Sequence, residues 1–221
     1  MAGPNWMRMV RGGESLNVEF KRQAPKLERL SKTFSAFSNS SGGYVFFGVE
    51  DSGEIRGLDH LSGTQDLALK VAQFHCEPPI DVKFHTWEPI KGAQVLIVKI
   101  DEAELKPVYA INPQDRRDAW PFFRSDKENL PMDKQSMKTM RNLDAIPLEE
   151  GMAALDRHGI KILNTLGECP RQTLGRLAKS ANISSARAKK IMVQLEQNGW
   201  VYSFFNEKRR EFSLAIPWKK R

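Results

Sequence analysis

Apolar and polar positions change rhythm several times along the chain, and each rhythm names an element. From Ser15 to Lys21, Leu16, Val18 and Phe20 point one way and Asn17, Glu19 and Lys21 the other, which predicts a half-buried strand. Leu27, Leu30, Phe34 and Phe37 then recur at three- and four-residue spacing, one face of a helix from about Lys26 to Asn39. The run SNSSGG ends it, because Gly42 or Gly43 takes the left-handed backbone that closes a helix. Tyr44 to Val49 is apolar on both faces, as a central strand is. EDSGE reads as a turn with Gly53 at positive φ, followed by a short return strand over Ile55 to Leu58. Gly63 to His75 reads as a second helix with Leu67, Val71 and Phe74 inward, stopped by Glu77-Pro-Pro. Ile80–Trp87 and Gln94–Ile100 form a hairpin about Lys91-Gly92, and KPVYAIN and AWPFFRSD supply two more short strands. Two helices against about six strands give an α+β layer on one main sheet.

The last third is patterned differently. Ile160, Leu163 and Leu166 mark one helix, Thr173, Leu174, Leu177 and Ala178 a second, and NISSARAKKIMVQLEQNG a third. Ser184 or Ser185 caps the third helix and Asn198-Gly199 ends it. VYSFF and EFSL are strand halves around the basic tip NEKRR. Between the two patterns, NLDAIPLEEGM sets Pro147 and two acids among helical segments. The expected division is therefore a domain over 1–141, a linker over 142–150 and a second domain over 151–221.

Composition changes this picture in one respect. Residues 1–147 carry 20 Lys/Arg against 20 Asp/Glu, whereas 148–221 carry 14 against 7, so the whole net charge of +7 lies in the last third. A basic block of that size points to a polyanion, most simply nucleic acid. No apolar run reaches the ~20 residues of a membrane helix, and the first residues lack the apolar core of a secretory signal. Cys76 and Cys169 stand apart and outside any C-x-x-C pair. Reduced thiols in a cytoplasmic protein are expected. His75, Cys76 and His85 lack a fourth ligand at metal-site spacing and read as ordinary side chains.

Three short helices and a basic-tipped hairpin, over about residues 155–216, resemble the winged helix-turn-helix of bacterial and archaeal regulators. In the third helix Ala188, Ile191, Met192 and Leu195 share one face, while Arg187, Lys190 and Gln194 share the opposite one. Such a split seats a recognition helix and aims donors at base edges and phosphates. Ser185, Arg187, Lys190 and Gln194, with Lys208, Arg209 and Arg210 at the wing tip, are the candidate contacts to double-stranded DNA. Winged helices also bind proteins, so a non-enzymatic adaptor is the bland reading of the same residues.

Four blocks of the first part occur in order: E-S-x-x-x-E-F-K from Glu14, A-F-x-N-x-x-G-G from Ala36, G-V-x-D-x-G from Gly48 and F-x-R-x-x-x-x-N from Phe122. Together they resemble the Schlafen AlbA_2 domain family over about residues 12–132. Members of that family are described as DNA-binding or ATP-binding regulators, often with a winged helix behind them, and some vertebrate members are endoribonucleases. The resemblance to the ribonuclease members implies an acidic trio of Glu14, Glu19 and either Glu50 or Asp51, holding Mg²⁺ or Mn²⁺, with Lys21 beside it to position a phosphate of structured RNA. In a regular strand Glu14 and Glu19 fall on opposite faces, so a bend near Ser15 is required before they can share a metal. The bland alternative is that Glu19 pairs with Lys21 across an exposed sheet face and that Glu50 and Asp51 are turn residues. ATP is not expected from the residues themselves: there is no G-x-x-x-x-G-K-[ST], and Ser41-Gly42-Gly43 precedes a strand, not a helix. The reading favoured by sequence is a nucleic-acid-binding transcriptional regulator acting as a homodimer, with no certain cofactor; the alternatives are a metal-dependent endoribonuclease and the adaptor.

Overall fold

A computed structural model describes residues 5–141, 155–206, 209–215 and 218. The expected linker over 142–150 lies outside the described residues. The chain divides into two compact units, Met1–Asn129 and Leu130–Arg221.

The first unit runs α1 (Trp6–Gly12), β1 (Val18–Lys21), α2 (Leu27–Asn39), β2 (Gly43–Phe47), α3 (Leu61–Phe74), β3 (Cys76–Glu77), β4 (Val82–Ile90), β5 (Ala93–Ile100), β6 (Tyr109–Asn112) and β7 (Asp115–Ser125), with β8 (Glu128–Pro131) at its end. One sheet has the order β1-β2-β5-β4, with β1 parallel to β2 and the other pairs antiparallel. A second has the order β3-β6-β7-β8. The expectation of one main sheet is thus corrected to two. The late short strands pair among themselves rather than extending the first sheet.

The apolar run of β2 is buried on both sides for a simple reason. Val45 and Phe47 pack with Leu30, Phe34 and Phe37 of α2 and Val71 of α3. Phe46 turns to the opposite face and joins Val10, Val18, Phe20, Val95 and Ile97, over which Trp6 and Met9 of α1 pack. The helix α1 was not foreseen from the sequence, and it covers the face that would otherwise be wet. Gly42 closes α2: its φ is +69°, and its N–H donates to the Phe37 carbonyl at 3.0 Å. A Cβ there would stand 2.7 Å from the Ile100 carbonyl oxygen, so the backbone also approaches too closely for any side chain.

Asn39, the last residue of α2, is fully buried and ties the two layers together. Its Nδ2 donates to the carbonyls of Val108 at 2.8 Å and Phe122 at 2.9 Å, while its Oδ1 accepts from the Val108 N–H at 2.7 Å. Two other expectations need correction. The strand expected from Ser15 begins only at Val18, because Ser15 and Val18 bond each other across a turn, N–H to carbonyl at 2.9 Å in one direction. Phe74, expected to point inward, is 59% exposed at the last turn of α3.

The second unit holds α4 (Lys134–Arg141), α5 (Arg157–Glu168), β9 (Gln172–Thr173), α6 (Leu174–Ala181), α7 (Ser185–Gln197), β10 (Val201–Asn206) and β11 (Arg209–Leu214). Its sheet has the order β10-β11-β9. Leu163, Leu166, Leu177, Met192, Leu195, Trp200 and Phe212 form its core. The helix ends follow from side-chain chemistry. Asp156 caps α5 by accepting from the N–H groups of His158 at 3.0 Å and Gly159 at 2.9 Å. Ser184, one of the two serines foreseen, caps α7 by accepting from the Arg187 N–H at 3.2 Å. Gly199 follows α7 with φ +69°. Among the described residues no helix is long and apolar enough to cross a membrane.

Candidate nucleic-acid interface and carboxylate cluster

The face of α7 foreseen as inward is inward: Ala188, Ile191, Met192 and Leu195 are all buried. Ser185, Arg187, Lys190 and Gln194 are exposed, joined by Lys189 and by Val193, which the sequence pattern does not single out. One of the cations is partly engaged, since Nη2 of Arg187 lies 2.7 Å from Oδ2 of Asp156, the cap of α5. Hydrogen bonds from Gly159, Arg187 and His158 hold the Asp156 carboxyl below its ordinary range.

The wing divides the expected tip residues. Arg209 is exposed at the end of the hairpin, opposite Asn206. Lys208 lies outside the described residues. Arg210 turns the other way. Its Nη2 donates to Oε1 of Glu196 at 3.1 Å and to Oγ of Ser203 at 2.7 Å, and its Nε stands 3.6 Å from Oδ2 of Asp133. Burial pushes the Glu196 carboxyl up, opposed by Ser203 and Arg210 and assisted by the Asp133 charge. Arg210 is thus a partly exposed counter-ion shared by the carboxylates of Glu196 and Asp133, not a free tip cation.

In the first unit the required bend does occur. The turn at Ser15 brings Glu14 back along β1, where its Oε1 accepts from the Phe20 N–H at 2.9 Å. Burial raises the Glu14 carboxyl above its ordinary value, and the charges of Glu19 and Asp51 raise it further; the Phe20 N–H and Lys21 oppose them. Glu14 therefore lies within electrostatic reach of Glu19 and Asp51. The motif acids do not, however, form a cation cradle.

Glu19 is buried, with both oxygens in ion pairs, although Oε2 makes no hydrogen bond among the described residues. Oε1 takes the Lys21 ammonium, and Oε2 lies 2.6 Å from Nη2 of Arg124. Lys21 also donates to the Phe20 carbonyl at 2.8 Å. Glu50 faces Arg22 at 3.4 Å, and Asp51 is exposed in the turn closed by Gly53, whose φ is +86°. Among the described residues no group of three or more His, Cys, Asp or Glu is placed to hold a metal ion. The donor set does not fit a divalent cation, because the central carboxylate is neutralised by two protein cations. His75, Cys76 and His85 form no such group either. Cys76 is buried, and burial alone pushes its thiol up to about 12.

The residue missed by sequence reasoning is Arg124. It is 0% exposed. Its Nη1 donates to Oδ1 of Asn129 at 2.8 Å, and its Nη2 donates to the carbonyls of Ser15 at 3.1 Å and Val18 at 3.2 Å. Its guanidinium lies 4.8 Å from the centre of the Phe37 ring. Asn129 in turn donates to Thr33 at 2.9 Å, and the Arg124 N–H donates to Oγ of Ser40 at 3.0 Å. The R-x-x-x-x-N block is visible as a motif, but nothing in it announces that Arg124 covers the face of β1 expected to be exposed.

Family comparison covers both parts of the chain. The family "Schlafen, AlbA_2" matches residues 14–133, and "Winged helix-turn-helix DNA-binding" matches residues 155–202. A protein of Ureaplasma parvum named "Uncharacterized ATP-binding protein UU034" is 47% identical over 45 residues, 20% of this chain and 13% of that protein. The crystal structure of the DIP2311 protein from Corynebacterium diphtheriae aligns with a TM-score of 0.38 at 15% identity, covering 70% of this chain and 34% of that one. This chain thus spans only a small part of either relative. The Ser15 turn, the Asn39 tie and the buried Arg124 are built from three of the four sequence blocks, all of which fall within the first match, and the chain belongs to the Schlafen AlbA_2 family, with a winged helix-turn-helix domain behind it.

Proposed function

We propose that this protein is a transcriptional regulator that binds duplex DNA through the exposed face of α7 and the wing. The observation carrying this reading is the split of α7, apolar residues buried on one side and Arg187, Lys190 and Gln194 exposed on the other. A helix seated in this way presents donors to a major groove, and the cations supply the salt-dependent part of affinity. Arg209 on the wing is placed to add a backbone contact. Two copies would engage spaced half-sites, as paired winged helices do.

The endoribonuclease reading loses its central ligand, because Glu19 is committed to Lys21 and Arg124. The ATP-binding name of the Ureaplasma protein finds little support here: Gly42 ends α2 and leads into β2, so no helix start presents its amides there. The test is the affinity of the full chain for duplex DNA as a function of salt. Arg187→Ala combined with Lys190→Ala lowers the magnitude of the log–log slope by about 2. An unchanged slope would mean that this face does not meet phosphate.

A further inference from the structure

In the first unit, the first turn of α2, the last turn of α3 and the turn between β6 and β7 enclose a groove of about 720 Å³. That volume is the size of a small-molecule site. Its walls are apolar and aromatic: Leu27, Leu67 and the ring of Phe74, which is 59% exposed. Lys26 and Lys70 stand on the same walls, with Glu28 the one acid among the lining residues. The groove opens on the start of α2, a thirteen-residue helix whose first turn receives no side-chain cap from Lys26. Its leading N–H groups carry the positive end of the helix dipole.

A second observation comes from His75, which also lines the groove. It is 8% exposed, and its Nδ1 is buried without a hydrogen-bond partner. A buried polar atom left unmet is unfavourable, and a bound group or an ordered water is one way to meet it.

We propose that this groove binds a small aromatic carboxylate. The ring lies against Phe74 between Leu27 and Leu67, where offset stacking and apolar contact hold it. The carboxylate meets Lys26, Lys70 and the first amides of α2, which together outweigh Glu28. His75 lies on the same lining, with its Nδ1 buried. This site is independent of the DNA-binding reading, and its test uses no DNA.

The probe is 2-naphthoate, titrated calorimetrically into the full chain, with the uncharged 2-naphthalenemethanol as comparator. One saturable site is expected. Lys70→Gln and Phe74→Ser each weaken it about fivefold or more, since each removes one exposed charge-assisted or stacking contact. Leu105→Ser, at an exposed apolar residue that does not line the groove, leaves it unchanged. The alcohol binds at least about fivefold more weakly than the acid. All three substituted side chains are exposed, and matching thermal melts check that folding is kept. No heat with naphthoate, equal binding of acid and alcohol, or insensitivity to both groove variants would overturn the proposal.

Discussion

The guanidinium of Arg124 and the carboxylate of Glu19 meet at 2.6 Å in the interior of the first unit, with side-chain exposures of 0% and 8%. Removing one member of such a pair strands the other's charge away from water, which is unfavourable by about 3–5 kcal/mol. Arg124→Met and Glu19→Gln are therefore each expected to lower the urea midpoint of the full chain steeply. The consequence reaches beyond stability. Loss of any activity in Glu19→Gln carries no information about chemistry unless folding is measured alongside. A midpoint within experimental error of the parent in both variants would show that the pair is not closed to water.

Glu14 offers the cleaner probe of the same cluster, through pH. Its carboxyl is raised above the ordinary 4.5, first by burial and then by Glu19 and Asp51. The folded state thus holds this proton more tightly than the unfolded chain does. The Glu14 contribution to stability is most favourable at and below pH 4.5, falls as pH rises toward the raised value, and is level beyond it. Glu14→Gln keeps an oxygen that can accept from the Phe20 N–H and removes the titration. Urea midpoints measured from pH 4.5 to 7 are expected to converge at the acid end, with the variant the more stable at neutral pH. A parent protein that gains on the variant as pH rises would reverse the sign.

On the proposed DNA-binding face, Asp156 is an acid set among the cations. It holds Arg187 at 2.7 Å while capping α5. Asparagine caps a helix about as well as aspartate. Asp156→Asn is therefore expected to leave the melting temperature within a few degrees, release Arg187, and tighten duplex binding severalfold at low salt. Equal affinity in parent and variant at low salt would place Arg187 outside the contact.

Arg209 and Arg210 are neighbours in sequence with opposite expected phenotypes. Arg210→Met leaves Glu196 and Asp133 without their shared cation and is expected to cost about 2 kcal/mol of stability, discounted for the partial exposure of the arginine. Arg209→Met is expected to leave stability unchanged and to weaken duplex binding with a shallower salt slope. Melting curves and a salt titration on the two variants separate them. A swapped pair of outcomes would reverse the assignment of wing and counter-ion.

Much of this arrangement is legible in the amino-acid pattern. α2, β2 and the α7 cap and stop announce themselves through period, glycine placement and Ser184. What escapes is long-range. Glu19 reads as the wet side of an alternating strand because Arg124, more than a hundred residues later, supplies the cover. Phe74 continues the apolar face of α3 by spacing, yet the helix ends there and leaves the ring beyond the core. Arg210 is indistinguishable from Arg209 in sequence; pairing in the wing turns it toward Glu196. Local pattern records the period of each element, but not which distant side chain will arrive opposite it.

Asn39 carries one more consequence, for how the molecule ages. An asparagine side chain followed by serine is open to deamidation, in which the next backbone nitrogen attacks the amide carbon. Here that nitrogen, on Ser40, donates to the Phe37 carbonyl at 3.1 Å, and the amide is held by Val108 and Phe122 away from solvent. The product, an aspartate, would set an acceptor against two carbonyl oxygens and could not be readmitted to the folded interior without loss. Damage at this position therefore accrues only while the chain is open, and the slow appearance of aspartate at position 39 in stored protein becomes a clock that counts unfolding.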